Sequence, residues 1–181
     1  MIELGFPLGI GETQPLDPNE QRPKILNREQ VAKRLSMYGD KKLLVDEFDT
    51  QEGIGRYTVR EEDCDGHFAN DYEEIKLFRG VDQIEAAAQT LGLAYLASEP
   101  DTKAVPIFRS TEGTKFGFVF PWETMIMQAT IISQTSNSVK GNCEIRIGDK
   151  IVSTINGIDL GLISNIEMAK RMIARQKAAR K

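Results

Sequence analysis

Apolar and polar positions along the chain follow two regimes that meet near residue 100. Between Gly80 and Ala97 no proline occurs, and Val81, Ile84, Ala88, Leu91 and Tyr95 recur at three- and four-residue spacing, the stripe of one long helix. Ala86, Ala87, Ala88 and Gly92 leave this helix little side-chain bulk, so another element can approach it closely and it is expected to be buried. Pro100 lies just beyond its end. After it the period shortens: residues 105–110, 115–120, 124–133, 138–147 and 150–163 are expected as five strands. They are split by Thr111-Glu112-Gly113, Pro121-Trp122-Glu123, residues 135–137 and a hairpin turn at Gly148-Asp149, and such short loops predict an antiparallel meander.

Ahead of the long helix, Asn27 and Gln30 form a capping-box-like start, and Val31, Leu35 and Tyr38 predict a short helix over 28–38 that Gly39 ends. Residues 42–49 and 55–60 are expected as a hairpin turning through 50–53. Residues 1–26 hold Pro7, Pro15, Pro18 and Pro23 without a sustained period and read as an extended arm. At the other end, Ser164 and Glu167 make a capping box before Ile166, Ala169 and Ile173, and Lys170, Arg171, Arg175, Lys177, Arg180 and Lys181 follow, a basic amphipathic helix. The expected division is an arm over 1–26, a domain over 27–163 and a basic helical tail over 164–181. One buried helix entering early, then a run of long antiparallel strands, is an α+β arrangement in which the sheet wraps the helix.

The chain's 181 residues suit one core. Its net charge of −4 lacks the overall basicity of a dedicated nucleic-acid binder. Two cysteines, Cys64 and Cys143, with a single histidine make neither a disulfide framework nor a Cys/His zinc site, so no metal is expected and a reducing cytoplasm fits best. The first 30 residues do not have the order of a secretory signal, and the longest apolar runs are strand-length, so no membrane span is expected.

The one histidine, His67, sits in the polar turn Asp65-Gly66-His67-Phe68, where a lone histidine is ordinarily a solvated or hydrogen-bonded residue. Glu85 changes that reading. It lies on the second turn of an otherwise apolar helix, between Ile84 and the alanine run, where a carboxylate is costly unless paired. Gln89 is one turn on, on the same face, so the two together point to a polar pocket. Carboxyl groups withdrawn from water keep their protons to higher pH, which suits a proton donor working opposite an imidazole base.

Gly66-His67-Phe68, then Arg79-Gly80-Val81 and Ile84-Glu85-Ala86-Ala87-Ala88-Gln89, resemble the hot-dog-fold 3-hydroxyacyl-ACP dehydratases of the FabZ/FabA type. In that family a Gly-His-Phe loop precedes a Pro-Gly-Val turn and a helix starting Ile-Glu-Ala-x-Ala-Gln. Leu43-Leu44-Val45-Asp46 resembles its first strand, Lys115-Phe116 with Pro121 its Arg-Phe to Pro-Gly-Asp segment, and residues 148–152 its last hairpin; together the likeness spans roughly residues 26–163. The resemblance implies that His67 removes the C2 proton of a (3R)-3-hydroxyacyl thioester while Glu85 protonates the leaving C3 hydroxyl, giving a trans-2-enoyl thioester. Gly80 would offer its backbone N–H to the thioester carbonyl, a place suited to growing negative charge. Phe68, Val81 and Gln89 would line the substrate. No metal or organic cofactor is implied. The partners implied are an acyl carrier protein bearing the substrate and a second copy of the chain, as a homodimer or trimer of dimers, with His67 and Glu85 facing each other across the interface.

Departures from the family pattern cluster between the two site residues. The step from His67 to Glu85 is four residues longer than usual, the stretch after Phe68 is Ala69-Asn70-Asp71-Tyr72-Glu73-Glu74-Ile75-Lys76, and Arg79 stands where a proline precedes the motif glycine. Pro121-Trp122-Glu123 replaces Pro-Gly-Asp. Glu rather than Asp at position 85 matches the plain dehydratase branch rather than the dehydratase–isomerase one. Two other readings stand beside dehydration: a hot-dog thioesterase, and a non-catalytic hot-dog subunit. Lys76, Arg79, Arg109 and Lys115 are candidate contacts for an acidic carrier protein, with ordinary solvated cations as the alternative.

Overall fold

The computed structural model describes residues 23–39, 42–66 and 75–164, together with 175 and 178. Its element order is β1 (Ile25–Leu26), α1 (Arg28–Arg34), β2 (Glu47–Asp49), β3 (Ile54–Thr58), β4 (Cys64–Gly66), β5 (Lys76–Phe78), α2 (Gly80–Ser98), β6 (Ala104–Ser110), β7 (Gly113–Lys115), β8 (Thr124–Gln134), β9 (Ser138–Ile147) and β10 (Lys150–Ser164). The expected C-terminal capping box lies outside the described residues.

The long helix forms where the sequence places it. Its side chains from Ala86 to Leu93 are buried without a break, so α2 is enclosed rather than laid on a surface. What encloses it is one antiparallel sheet in the order β1-β2-β3-β8-β9-β10-β6, with β7 also paired to β10. Leu91 of the helix and Phe48, Tyr57, Met127, Ile145, Ile155 and Ile158 of the sheet are fully buried in one cluster. Burying each such side chain contributes about 1.5–3 kcal/mol.

Close approach is made possible from the sheet side as well as by the helix's own small residues. A Cβ at Gly141 of β9 would lie 2.5 Å from Leu91 Cδ1 and 2.5 Å from the Thr130 carbonyl oxygen, part of it backbone that cannot give way. Gly141→Ala is therefore expected to cost about 1–3 kcal/mol by overpacking and to lower Tm by roughly 3–10 °C, checked by thermal unfolding followed by circular dichroism.

Four expectations need correction. The short helix stops at Arg34: Leu35 leaves the helical region at ψ 43°, and the Tyr38 N–H then donates to the Leu35 carbonyl at 2.9 Å, a turn that swings Tyr38 toward α2. Its N-terminus is as read, with Asn27 and Gln30 exchanging capping bonds at 3.0 Å. The strand expected over 42–49 is paired only at Glu47–Asp49, because Gln89 of α2, rather than a neighbouring strand, satisfies the backbone at Lys42 and Leu44. The strand expected over 115–120 ends at Lys115; residues 116–120 continue outside the ladder, held by the Gly117 N–H to Ser153 Oγ at 3.1 Å and the Phe78 N–H to the Val119 carbonyl at 2.9 Å. The meander is confined to β8-β9-β10, since β6 crosses to the far edge of β10 and β3 pairs with β8. The hairpin of β2 and β3 forms, with Gly53 at φ 68° in its turn.

Candidate functional site

Glu85 is half-buried on the second turn of α2, at the wall of a cleft of about 590 Å³. Helical spacing sets Gln89 one turn below it, and the Gln89 Nε2 donates to Glu85 Oε1 at 3.1 Å. Gln89 is itself fixed: its Oε1 accepts from the Leu44 N–H at 2.8 Å and its Nε2 donates to the Lys42 carbonyl at 2.7 Å. With 1% of its surface exposed, its amide both stitches residues 42–44 to the helix and holds the carboxylate beside it.

Tyr38 closes the cleft from another element. It lines the same wall as Glu85, and burial first, then the nearby Glu85 charge, push its ionisation well above the usual phenol range. The phenol therefore stays protonated at all ordinary pH.

The opposite wall is the turn Glu61–Asp63, which presents Glu62 and Asp63 to the cleft. This turn is locked by a polar network. The Tyr57 hydroxyl hydrogen-bonds Asp63, Arg60 donates to the Tyr57 hydroxyl at 2.8 Å and to Asp46 Oδ1 at 2.8 Å, and Arg28 pairs with the same Asp46. Arg60 also lies over the Tyr57 ring, 5.0 Å from its centroid. Leu44, Val81, Ile107 and Phe108 supply the apolar part of the cleft.

Gly80 begins α2, and its N–H and that of Val81 have no carbonyl within the helix to bond to. The Phe116 ring lies against Gly80 so closely that a Cβ there would stand 2.9 Å from Phe116 Cδ2. Beside it a second, apolar hollow of about 280 Å³ is lined by Leu77, Phe78, Gly80, Phe116 and Phe118. Gln83 and Ser153 hold this side together: Ser153 Oγ donates to Gln83 Oε1 at 2.5 Å, and Gln83 Nε2 reaches the Phe78 and Gly117 carbonyls at 3.3 Å.

Of the site residues expected from sequence, Glu85, Gln89 and Val81 share the cleft region and Gly80 lies one turn before Glu85, while His67 and Phe68 are outside the described residues. Val81 is 63% exposed at the cleft rim. Among the candidate carrier contacts, Lys76 is ion-paired with Glu61 and Arg79 grips Asp82 at 2.6 and 3.1 Å, whereas Arg109 and Lys115 are exposed. Tyr38 was not singled out by the sequence, where its spacing from Leu35 read as part of an apolar helical face. Gln83 and Ser153 carried no signal either, because their pairing spans 70 positions. No group of three or more His, Cys, Asp or Glu side chains is arranged to hold a metal ion among the described residues. Cys64 and Cys143 are buried and form no disulfide with each other, and burial pushes the Cys143 thiol far above its usual range.

No protein-family model matches the chain. A 3-hydroxyacyl-[acyl-carrier-protein] dehydratase FabZ from Listeria welshimeri serovar 6b is 27% identical over 114 residues, covering 62% of this chain and 76% of that protein. Among solved structures, the dehydratase heterocomplex ApeI:P from Xenorhabdus doucetiae superposes with a TM-score of 0.58 at 13% identity, over 78% of this chain and 96% of that one. The fluoroacetyl-CoA thioesterase FlK superposes with a TM-score of 0.55 at 11% identity, over 68% and 92% of the two chains. The E. coli PaaI protein from the phenylacetic acid degradation operon gives 0.50 at 17%, over 74% and 88%. The chain has a hot-dog fold: an antiparallel sheet wrapped around α2. No helix among the described residues is long and apolar enough to cross a membrane.

Proposed function

We propose that the protein is a dehydratase acting on (3R)-3-hydroxyacyl thioesters, on an acyl carrier protein, in fatty-acid or related lipid or polyketide synthesis in the cytoplasm. The observation that carries this reading is the Glu85 carboxyl, half-buried at a cleft wall on an otherwise apolar helix and met there by the Gln89 amide. The 27% identity to the Listeria dehydratase supports it further. In the proposed reaction His67 takes the proton from C2, the C2–C3 double bond forms as the C3–O bond breaks, and Glu85 gives its proton to the departing hydroxyl, which leaves as water. The Gly80 N–H at the start of α2 faces the charge that grows on the thioester oxygen. Phe68, Val81 and Gln89 line or brace the bound substrate, and Arg109 and Lys115 are exposed cations available to an acidic carrier.

Hydrolysis of a thioester is the second reading, favoured by the likeness to the thioesterase FlK; there Glu85 would orient a water on the carbonyl carbon. The two differ in product. Incubation with 3-hydroxyacyl-ACP, following enone absorbance and free thiol together, is expected to show the enone signal without thiol release. Thiol release without the enone overturns dehydration in favour of hydrolysis, and neither signal leaves a non-catalytic subunit.

A homodimer or a trimer of dimers is part of the proposal. Phe118 and Trp122 are each 69% exposed, with Phe116, Phe120 and Val81 exposed as well, an apolar row that supports burial by a second copy. If His67 of one chain works with Glu85 of the other, a mixed dimer of His67→Ala and Glu85→Gln chains keeps one intact site. Such mixed dimers, purified with two tags, are expected to recover about half the wild-type rate from two inactive parents; a rate no higher than the parents' rejects the shared site.

A further inference from the structure

We infer that Asp63 is a further substrate-binding residue of the cleft: its carboxylate accepts the N–H of the amide nearest the sulfur in a pantetheine thioester, the arm that acyl carrier protein and CoA share. The inference deepens the dehydratase reading and rests on it for the thioester. The placing of Asp63 in the cleft wall does not depend on that reading.

A chain of side chains fixes this carboxyl from behind. The hydroxyl of Tyr57, a residue only 1% exposed, donates to Asp63 Oδ2, and the Arg60 N–H donates to the same oxygen at 3.0 Å. The Arg60 guanidinium bonds the Tyr57 hydroxyl at 2.8 Å and is itself held by Asp46, which also pairs with Arg28 of α1. Two donors occupy Oδ2, while Oδ1 has no partner among the described residues. One neutral oxygen would serve Tyr57 and Arg60 as well. The second oxygen, and the charge that comes with it at the cleft wall, is what the fold does not use.

Topology sets that oxygen near the place proposed for the thioester. Cys64, the next residue, pairs with Phe78, which is followed by Arg79 and Gly80, so Asp63 and the start of α2 leave the same end of the β4–β5 ladder. In a thioester whose carbonyl meets the Gly80 N–H, only a sulfur and two methylenes separate that carbonyl from the first amide. Charge then selects the group. Arg79 and Asp82 pair with each other, which leaves Glu62, Asp63 and Glu85 against Lys42 in the cleft. A surplus of negative charge repels the phosphate farther along the arm and suits a neutral N–H donor. The acyl hydroxyl and the carbonyl already have partners in Glu85 and Gly80, and the amide N–H is the donor that remains.

Asp63→Asn separates binding from support of the turn. Its amide oxygen still accepts from the Tyr57 hydroxyl and the Arg60 N–H, which turns an NH2 group toward the cleft, a donor facing a donor. S-butyl pantetheine, a thioether that neither dehydrates nor hydrolyses, is expected to bind Asp63→Asn roughly 10-fold more weakly than the wild type by isothermal titration calorimetry, the scale of one hydrogen bond to a charged group. The same thioether methylated on that amide nitrogen is expected to lose about 10-fold on the wild type and nothing further on Asp63→Asn; its wild-type half serves where the variant does not fold. With the 3-hydroxyacyl thioester, KM is expected to rise roughly 10-fold and kcat to stay within about 2-fold, because the arm is held alike before and during the reaction. The loss is expected equally on acyl carrier protein and on CoA, and the carrier with the lower wild-type KM is the source of the arm. No binding of the thioether to the wild type, equal binding of the two thioethers there, or a loss on one carrier alone overturns the inference. A fall confined to kcat puts Asp63 on the reacting atoms and overturns it as well. Weaker thioether binding by Asp63→Asn, in a protein whose wild type forms no enone, keeps the Asp63 contact and rejects dehydration instead.

Discussion

Glu85→Gln is expected to lower the rate of enone formation by at least about 100-fold while leaving the protein folded. The amide is nearly the size of the carboxyl, so the cleft keeps its shape. Its Oε1 can still accept from Gln89 Nε2. What it lacks is a proton acidic enough to give to a leaving hydroxyl. The loss should therefore appear in kcat with thermal stability close to wild type, measured by enone absorbance on 3-hydroxyacyl-ACP beside a melting curve. Near-full activity in this variant removes Glu85 from the chemistry and the dehydratase mechanism with it.

Gln89→Leu is expected to act through stability first. Gln89 is buried at 1% exposure, and its amide satisfies the Leu44 N–H and the Lys42 carbonyl besides touching Glu85. Leucine keeps the volume and the helix propensity but leaves two backbone groups without partners in a segment that has no strand neighbour there. A cost of about 2–4 kcal/mol follows, roughly 5–15 °C in Tm. Gln89→Glu separates the two roles: it retains an acceptor for the Leu44 N–H, loses both donations, and sets a second carboxyl one turn from Glu85. It is expected to melt below wild type and to lose more activity than Gln89→Leu does at a temperature where both are folded. Wild-type melting of Gln89→Leu, followed by differential scanning calorimetry, contradicts the stitching role.

The parts of this architecture that the sequence discloses are those governed by neighbours in the chain. The long helix announces itself because its apolar positions repeat at helical spacing, and Asn27 with Gln30 marks the start of α1 because capping is a three-residue affair. Glu85 stands out by the same logic, a carboxylate amid alanines. The shortfalls share one cause, distant partners. Residues 42–46 have the composition of a strand, yet the Leu44 N–H and the Lys42 carbonyl bond to a helix side chain 45 and 47 positions away. Residues 116–120 alternate like a strand, but past Lys115 the pairing with β10 gives way to bonds outside the ladder, the Gly117 N–H to Ser153 Oγ and the Val119 carbonyl to the Phe78 N–H. Trp122 adopts φ 71°, a conformation that favours glycine, after Pro121 and where the resembled family carries a glycine. Tyr38 has the spacing of one more apolar contact of α1, yet it follows the turn at Leu35 and lines the cleft beside Glu85.

Dehydration and hydrolysis place the oxygen of water at different atoms, and that difference gives the most direct test. The protein is presented with a trans-2-enoyl thioester in 18O-labelled water, and the acyl products are read by mass spectrometry. A dehydratase running in reverse adds water across the double bond, so the account predicts an intact 3-hydroxyacyl thioester carrying 18O at C3, absent with Glu85→Gln. A free acid with 18O in its carboxyl group and no label at C3 contradicts it.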